Sequence, residues 1–266
     1  MRRAVRNLSN EDYHNGQIGE GYISSSMVKT IAKEGVHAFS EKEYVANGRS
    51  LDFGTAAHAY FFEFDDYLNQ IEVFEEKLDG RTRAGKEQKA EMDRINEQGE
   101  KVLLWKQEQQ NIITMWDNFH KVYPMYSSQF RDNQKDSEIS FFVDDWRGFK
   151  AKARTDHYGE SRYGSTIFDL KTTFDTPIPK NVKRESSKYQ YDIQDVMYRE
   201  VTGADAFIFV YVKTSPPFTA QCYRITNDYV LEGADLQIRY ALEKYRELLD
   251  NGGIVPPTYD GLIHGI

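Results

Sequence analysis

Apolar residues recur at helical spacing through the first half of the chain and alternate at strand spacing through much of the second. Ser24-Ser25-Ser26 precede Met27, Val28, Ile31 and Ala32, a hydroxyl cap followed by a helical stripe, with Gly35 as a stop. Residues 49–64 place Leu51, Ala56, Ala59, Tyr60 and Phe62 at mixed helical spacings, which predicts a buried helix. Residues 84–97 are good helix formers with few apolar positions, hence an exposed helix. Over 107–123, Ile112, Ile113, Trp116, Phe119 and Val122 form one stripe, ended by Pro124.

The pattern changes near Ser137. Residues 138–143 are β-rich, Asp144 to Gly148 supply a turn, 149–158 alternate, and 165–172 form a short apolar strand. A basic loop then leads to a helix over 191–201 that stops at Gly203. Strands over 207–212 and 219–225 flank Ser215-Pro216-Pro217, and a closing helix runs over 228–249 to Asn251-Gly252-Gly253. No repeat or low-complexity tract interrupts the order. It predicts an α/β (α+β) fold, a mixed sheet flanked by helices. One domain is expected over 1–266: a mainly helical part over 1–136 and a sheet core with the C-terminal helix over 137–266.

Composition narrows the class. Of 266 residues 39% are hydrophobic, and the longest clear apolar run, 206–212, is far short of the ~18 residues of a membrane span. The basic start has no apolar segment behind it, so no signal peptide is expected. The single cysteine, Cys222, excludes an internal disulfide framework or a cysteine-cluster metal site. A cytoplasmic globular protein is expected. The net charge of −8 disfavours gripping a polyanion with the whole surface. Yet basic residues concentrate in three windows: Arg81, Arg83, Lys86 and Lys89; Arg147, Lys150, Lys152 and Arg154; and Lys180, Lys183, Arg184 and Lys188. An acidic body with basic strips suits admission of an anionic ligand at one place; three solvated faces are the alternative.

Period-two alternation puts Lys150, Lys152, Arg154 and Asp156 on one strand face, and Asp169 with Lys171 on one face of the next strand. If the two strands pair as a hairpin, Asp156 approaches Asp169 and Lys171. Two carboxylates and an ammonium at neighbouring strand ends suit a hard cation such as Mg²⁺. A phosphodiester needs the same set: a metal to polarise the phosphoryl group and acidify water, and a cation to balance developing charge.

Asp156, twelve intervening residues and Asp169-Leu170-Lys171 resemble the PD-(D/E)xK nuclease signature. Thr155 stands where the literal motif has proline. Gly54-Thr55-Ala56-Ala57-His58 resembles the glycine–histidine motif of RecB-type nucleases. Glu138 opens the preceding strand, where this family places an extra acid, and Gln194-Asp195-Val196-Met197-Tyr198 matches the Gln-x-x-x-Tyr motif of RecB-like and RecE-like enzymes. All five features occur in the family's order. The opening-helix segment around Tyr22 to Lys29 and the Arg81 to Glu87 segment are similar to RecE-like exonucleases (exonuclease VIII and phage relatives), so the resemblance spans nearly the whole chain from about residue 20.

That resemblance implies a Mg²⁺-dependent exonuclease, with Mn²⁺ as a substitute, that degrades the 5′-terminated strand of linear double-stranded DNA. The 3′ overhang would serve a RecT-like single-strand annealing protein, in recombination and repair, in a bacterial or phage-infected cytoplasm. Asp156 and Asp169, with the Leu170 carbonyl, are the implied metal ligands, and Glu138 and His58 complete the coordination. Lys171 orients the attacking water; Gln194 holds that water or the lysine, and Tyr198 supports it or touches DNA. Lys150, Lys152, Arg154, Lys183 and Arg184 are expected to reverse the acidic field, and Arg81, Arg83 and Lys86 to hold the 5′-phosphate or backbone. Family members that enclose DNA imply a homo-oligomeric ring, trimer or tetramer. The alternatives are another nuclease of the superfamily, a structure-specific endonuclease or single-strand exonuclease, and a catalytically silent DNA-binding protein of the same fold.

Overall fold

The β-rich second half builds a six-stranded mixed sheet, and the helices on its two faces are what aim the polar residues at its centre. The computed structural model describes residues 1–14, 21–41, 49–98 and 101–254. The sheet comprises β1 (Arg2–Val5), β4 (Ser137–Trp146), β5 (Phe149–Ser161), β6 (Gly164–Thr173), β7 (Ala206–Lys213) and β8 (Ala220–Tyr223), in the order β1-β4-β5-β6-β7-β8. All neighbours are antiparallel except β6 and β7, which run parallel in the register Asp169↔Phe209 and Lys171↔Tyr211. That parallel step requires a crossover, supplied by α8 (Pro179–Tyr189) and α9 (Tyr191–Thr202). A separate parallel pair joins β2 (Ile71–Phe74) to β3 (Val102–Trp105).

One face of the sheet is covered by α3 (Arg49–Phe62), α6 (Lys106–Val122) and α7 (Pro124–Asp132). Phe61, Phe62, Phe119 and Phe130 pack there against Phe168, Leu170, Ile208 and Val210. The other face is covered by α2 (Ser25–Glu41), α9 and α10 (Asp228–Asp250), whose Val28, Ile31, Met197, Ile238 and Leu242 meet Ala151, Ala153 and Ile139. Period-two alternation in β6 therefore resolves as expected: Phe168 and Leu170 face the first layer, Ile167 and Asp169 the second. The short helices α1 (Asn10–His14) and α4 (Phe64–Gln70) and the longer α5 (Arg83–Gln98) lie in the N-terminal part. Among the described residues no helix is long and apolar enough to cross a membrane.

The sheet, the main helices and the stop at Gly203, left-handed with φ 81°, stand where the pattern places them. Gly35 breaks α2 with φ 85° and ψ 175°, but the helix resumes beyond it to Glu41. The expected basic loop over 180–188 is instead helix α8. Pro179 occupies its first turn, where a missing N–H costs nothing, and Val182 is its one buried residue, so no apolar stripe marks it. Pro124 likewise does more than end a helix, because it opens α7 directly after Tyr123. Strand β1 is too basic to read as a strand; Arg2 donates to the carbonyls of Val201 (2.8 Å) and Glu200 (2.9 Å), which places a cation at the C-terminal end of α9. The side chain of Leu51 lies outside the described residues.

Candidate active site

The centre of the site is a place where two strands part. β5 and β6 pair from Ser161↔Gly164 to His157↔Phe168, the last rung of their ladder. Beyond it the Leu170 N–H is taken by the Asp156 Oδ2 at 2.8 Å, so a carboxylate occupies the gap between the strands. Further along β5, the edge that β6 has left is filled by the segment before α2: Ile23 N–H donates to the Lys150 carbonyl (2.9 Å), and Lys152 N–H to the Ile23 carbonyl (2.8 Å). This stitch delivers the first turns of α2, with Lys29, to the same place.

Asp169 lies in the adjoining strand, 3% exposed. Its Oδ1 accepts from Gln194 Nε2 at 2.6 Å, and its Oδ2 stands 2.5 Å from Lys171 Nζ. Burial pushes the Asp169 carboxyl up while Lys171 opposes, and the lysine is held above its ordinary value because Asp169, Tyr191 and Asp156 outweigh its own desolvation. The pair is ionic. Gln194 faces inward from the second turn of α9, and its Oε1 receives two ammonium groups, Lys29 at 3.2 Å and Lys171 at 3.4 Å. Both cations also sit over the Tyr191 ring, at 5.4 and 4.5 Å. Burial, then repulsion from Lys171, pulls Lys29 down to about 7. The glutamine therefore acts as a fixed fork: one arm donates to the carboxylate and the other accepts from the lysines, which fixes its amide orientation.

His58 reaches the site from α3, whose Ala56, Ala57, Ala59, Phe61 and Phe62 are buried in the first layer. Arg131 of α7 pins the end of that helix by donating to the Tyr60 carbonyl (2.5 Å) while lying 3.6 Å from the Trp116 ring centre. His58 Nδ1 stands 3.1 Å from Asp156 Oδ2. Desolvation works against its charge, but Asp156, Asp169 and Glu138 prevail and raise it to about 9; the same contact, with Lys171 and the Leu170 N–H, keeps Asp156 below the ordinary carboxylate range despite burial. Glu138, left-handed at φ 48° inside a strand, sits 3.9 Å from Arg154 Nε. Burial first, then Asp156 and Glu63, push it up to about 8. A cleft of about 840 Å³ opens over these groups, lined by Gly54, His58, Glu63, Asp65, Asp66 and Glu138 among others. No side chain crowds Gly54, so its place in a helix interior, a cost of ~1 kcal/mol, keeps that wall low.

The donor set suits a hard divalent ion, since Asp169 Oδ2 is buried with no directed hydrogen bond and Asp156 and Glu138 add further carboxylate oxygens. Among the described residues, however, no three His, Cys, Asp or Glu side chains already form a cage. The expected set of His58, Glu138, Asp156, Asp169 and Leu170 is therefore not pre-closed: the imidazole and the lysine ammonium occupy the carboxylates instead.

The structure brings His58, Asp156, Asp169, Lys171 and Gln194 together and puts Glu138 beside them. Tyr198, on the same helix as Gln194, packs against Phe207 with its hydroxyl hydrogen-bonded to Ser25, and burial, with Tyr13, Asp169 and Asp156, pushes its phenol up. The basic strips do not form one surface. Lys152 is 5% exposed and donates to the Tyr13 carbonyl at 2.6 Å, and Arg154 donates to Leu8 and Ser9 carbonyls and Ser140, because both faces of β5 are covered. Lys150 is exposed over Tyr22. Arg184 pairs with Asp175, Lys183 is exposed, Arg81 pairs with Asp79 and Arg83 with Glu87, while Lys86 is exposed on α5. Lys29, Tyr191 and Glu63 are the site's unforeseen members; the one signal was that Lys29 sits in the opening-helix segment.

Residues 24–259 match the family described as PDDEXK-like domain of unknown function (DUF3799). The chain belongs to that PDDEXK-like family. A crystal structure of a "Putative exonuclease" from Eubacterium rectale shares the fold, with a TM-score of 0.59 and 16% identity over 95% of this chain and 90% of that one. The crystal structure of SSO0001 is only loosely similar, with a TM-score of 0.29 and 15% identity over 50% of this chain and 71% of that one. No curated protein matches in sequence.

Proposed function

We propose that this PDDEXK-like protein is a metal-dependent exodeoxyribonuclease that removes nucleotides from the 5′-terminated strand of linear duplex DNA. The observation that carries this is the convergence of Asp156, Asp169, Lys171 and Gln194 at the parting of β5 and β6. A divalent ion, Mg²⁺ or Mn²⁺, would be held by Asp156, Asp169 and the Leu170 carbonyl with help from Glu138 and His58, and would polarise the phosphoryl oxygen and acidify water. Lys171, fixed by Asp169 and Gln194, offers a proton-bearing cation where charge grows on the phosphoryl group. Gln194 keeps that ammonium aimed, and His58 keeps Asp156 ionised. Lys29 adds a second cation on the same glutamine. Lys150, Lys183 and Lys86 remain available to the DNA backbone.

The biological setting follows from the same reading: a 3′ overhang handed to a RecT-like annealing protein, by a ring of three or four copies around the duplex. Linear duplex labelled at each end, incubated with Mg²⁺, should lose the 5′ label first. Closed-circular DNA and EDTA controls should show no digestion. Cutting of the circle would favour an endonuclease, and unchanged digestion by Lys171→Ala would remove the site from consideration.

A further inference from the structure

At the opposite end of β6 lies a second cleft, of about 750 Å³, whose chemistry is the reverse of the first. The turn between β5 and β6 carries Arg162 and Tyr163, the junction of α6 and α7 carries Tyr123 and Tyr126, and the segment after β8 carries Arg224. Arg224 Cζ lies 3.8 Å from the Tyr163 ring centre and Arg162 Cζ 4.7 Å from it, so two guanidinium groups converge on one phenol. Arg162 also donates to the Tyr163 hydroxyl at 2.5 Å. None of the lining residues is acidic, and neither arginine has an ion-pair partner among the described residues; buried Asp195, which Arg224 influences, is already paired with Arg199. Two guanidiniums on one phenol with no acid in the lining leave a local positive field for an anion to meet. Beside them Tyr123 and Tyr126 lie nearly parallel, 15° apart, Tyr126 is backed by Phe168, and Met125 is 78% exposed at the rim.

We infer that this arginine–tyrosine cleft is a second DNA site, one that holds a single strand through its phosphates and stacked bases. Paired guanidiniums without acids match phosphate, and tyrosine faces give a platform that accepts any base. Placement favours a strand over a free nucleotide. From Tyr163 to Asp169 is six residues of extended chain, ~20 Å, a span that several nucleotides bridge and one cannot. Both clefts also border the α3, α6 and α7 layer. The inference rests on the nuclease reading for why a strand is present, but not for its measurement.

The test is anisotropy of a fluorescein-labelled oligothymidylate of about fifteen nucleotides with the full-length protein in EDTA, where cleavage is silent. Wild type should bind, and the double variant Arg162→Gln/Arg224→Gln should bind roughly tenfold or more weakly, with a log–log salt slope lower by about 1.4. Arg162→Lys/Arg224→Lys should keep the slope and lose affinity, because charge survives while the planar fork does not. Both double variants should keep the wild-type melting temperature, and Tyr126→Leu should weaken binding without changing the slope. Unchanged affinity in the glutamine pair, or no binding by wild type, overturns the inference. Equal binding by free thymidine monophosphate would make this a mononucleotide site and overturn it too. Failure of the wild type to digest linear duplex in Mg²⁺ would instead sink the nuclease reading alone, since this binding needs no catalysis.

Discussion

Two clefts lie toward opposite ends of one strand, and they solve opposite problems. Behind the first cleft Asp156 and Asp169 are held by His58 and Lys171, and at its wall Glu138 lies 3.9 Å from Arg154. These three carboxylates are thus matched within a few ångströms, while Glu63, Asp65 and Asp66 complete an acidic lining. The cleft over Tyr163 gathers guanidiniums with no carboxylate among its lining. A matched set costs less to bury and can be re-sorted when a cation arrives; an unmatched exposed set gains only when an anion lands on it. Charge balance alone therefore separates a place built for chemistry from a place suited to hold. It also explains how a chain of net charge −8 could engage DNA: the positive field need only be local.

The sharpest way to break this contrast is Lys171→Ala. Loss of the ammonium that neutralises growing phosphoryl charge should cut digestion on the order of 10³-fold, while oligothymidylate binding in EDTA stays within twofold. Parallel loss of both would show that the two clefts are one site. Gln194→Ala should come next, about 10–100-fold in rate, because it removes the fork that aims Lys171 and tethers Asp169. Its signature should be a shifted pH–rate profile as well as a slower one, since Lys29 and Lys171 lose their shared acceptor.

How much of this was legible beforehand depends on periodicity. Asp169 and Lys171 share a strand face, which period two alone shows, whereas Gln194 is marked only by its likeness to the Gln-x-x-x-Tyr motif. Lys29 escapes the same logic: it reaches Gln194 through the single rung that Ile23 makes with β5, and no local pattern encodes that rung. Helix α8 escapes because its exposed sequence carries no stripe. The charge windows mislead for a different reason. A run of lysines and arginines says nothing about where each side chain ends, and Lys152 ends under Tyr13. Arg162 and Arg224, in contrast, sit in separate turns, and only folding makes them neighbours.

A smaller effect tests the acidic side without DNA. Glu138 titrates near 8 in the folded protein, above its ordinary value of 4.5, so the native state keeps a proton that the unfolded chain has released. Its contribution to stability is whole below about pH 4.5 and is lost as pH rises through about 8. In EDTA, Glu138→Gln should therefore melt a few degrees above wild type at pH 9 and converge with it near pH 4. Identical melting curves at both pH values would mean that the carboxylate is solvated rather than pressed against Asp156 and Glu63.

The smallest effect is expected from the basic strip over 81–89. Arg81 is hydrogen-bonded to Asp79 at 3.0 and 3.2 Å, and Arg83 to Glu87 at 2.8 Å, on a surface where such pairs contribute little to stability. What fixes this segment is steric: a β-carbon on Gly85 would fall 2.0 Å from the Asp79 carbonyl oxygen, so the turn into α5 needs a glycine there. Because each arginine already has a carboxylate, DNA must compete with that acid before it gains a contact. Arg81→Ala and Arg83→Ala should each change duplex affinity less than about twofold at physiological salt. Removing the acids instead, with Asp79→Asn and Glu87→Gln, should free both guanidiniums and tighten binding with a steeper salt dependence. A tenfold loss from either arginine variant would place this strip on the DNA path and end the claim that unmatched charge marks where the strand is held.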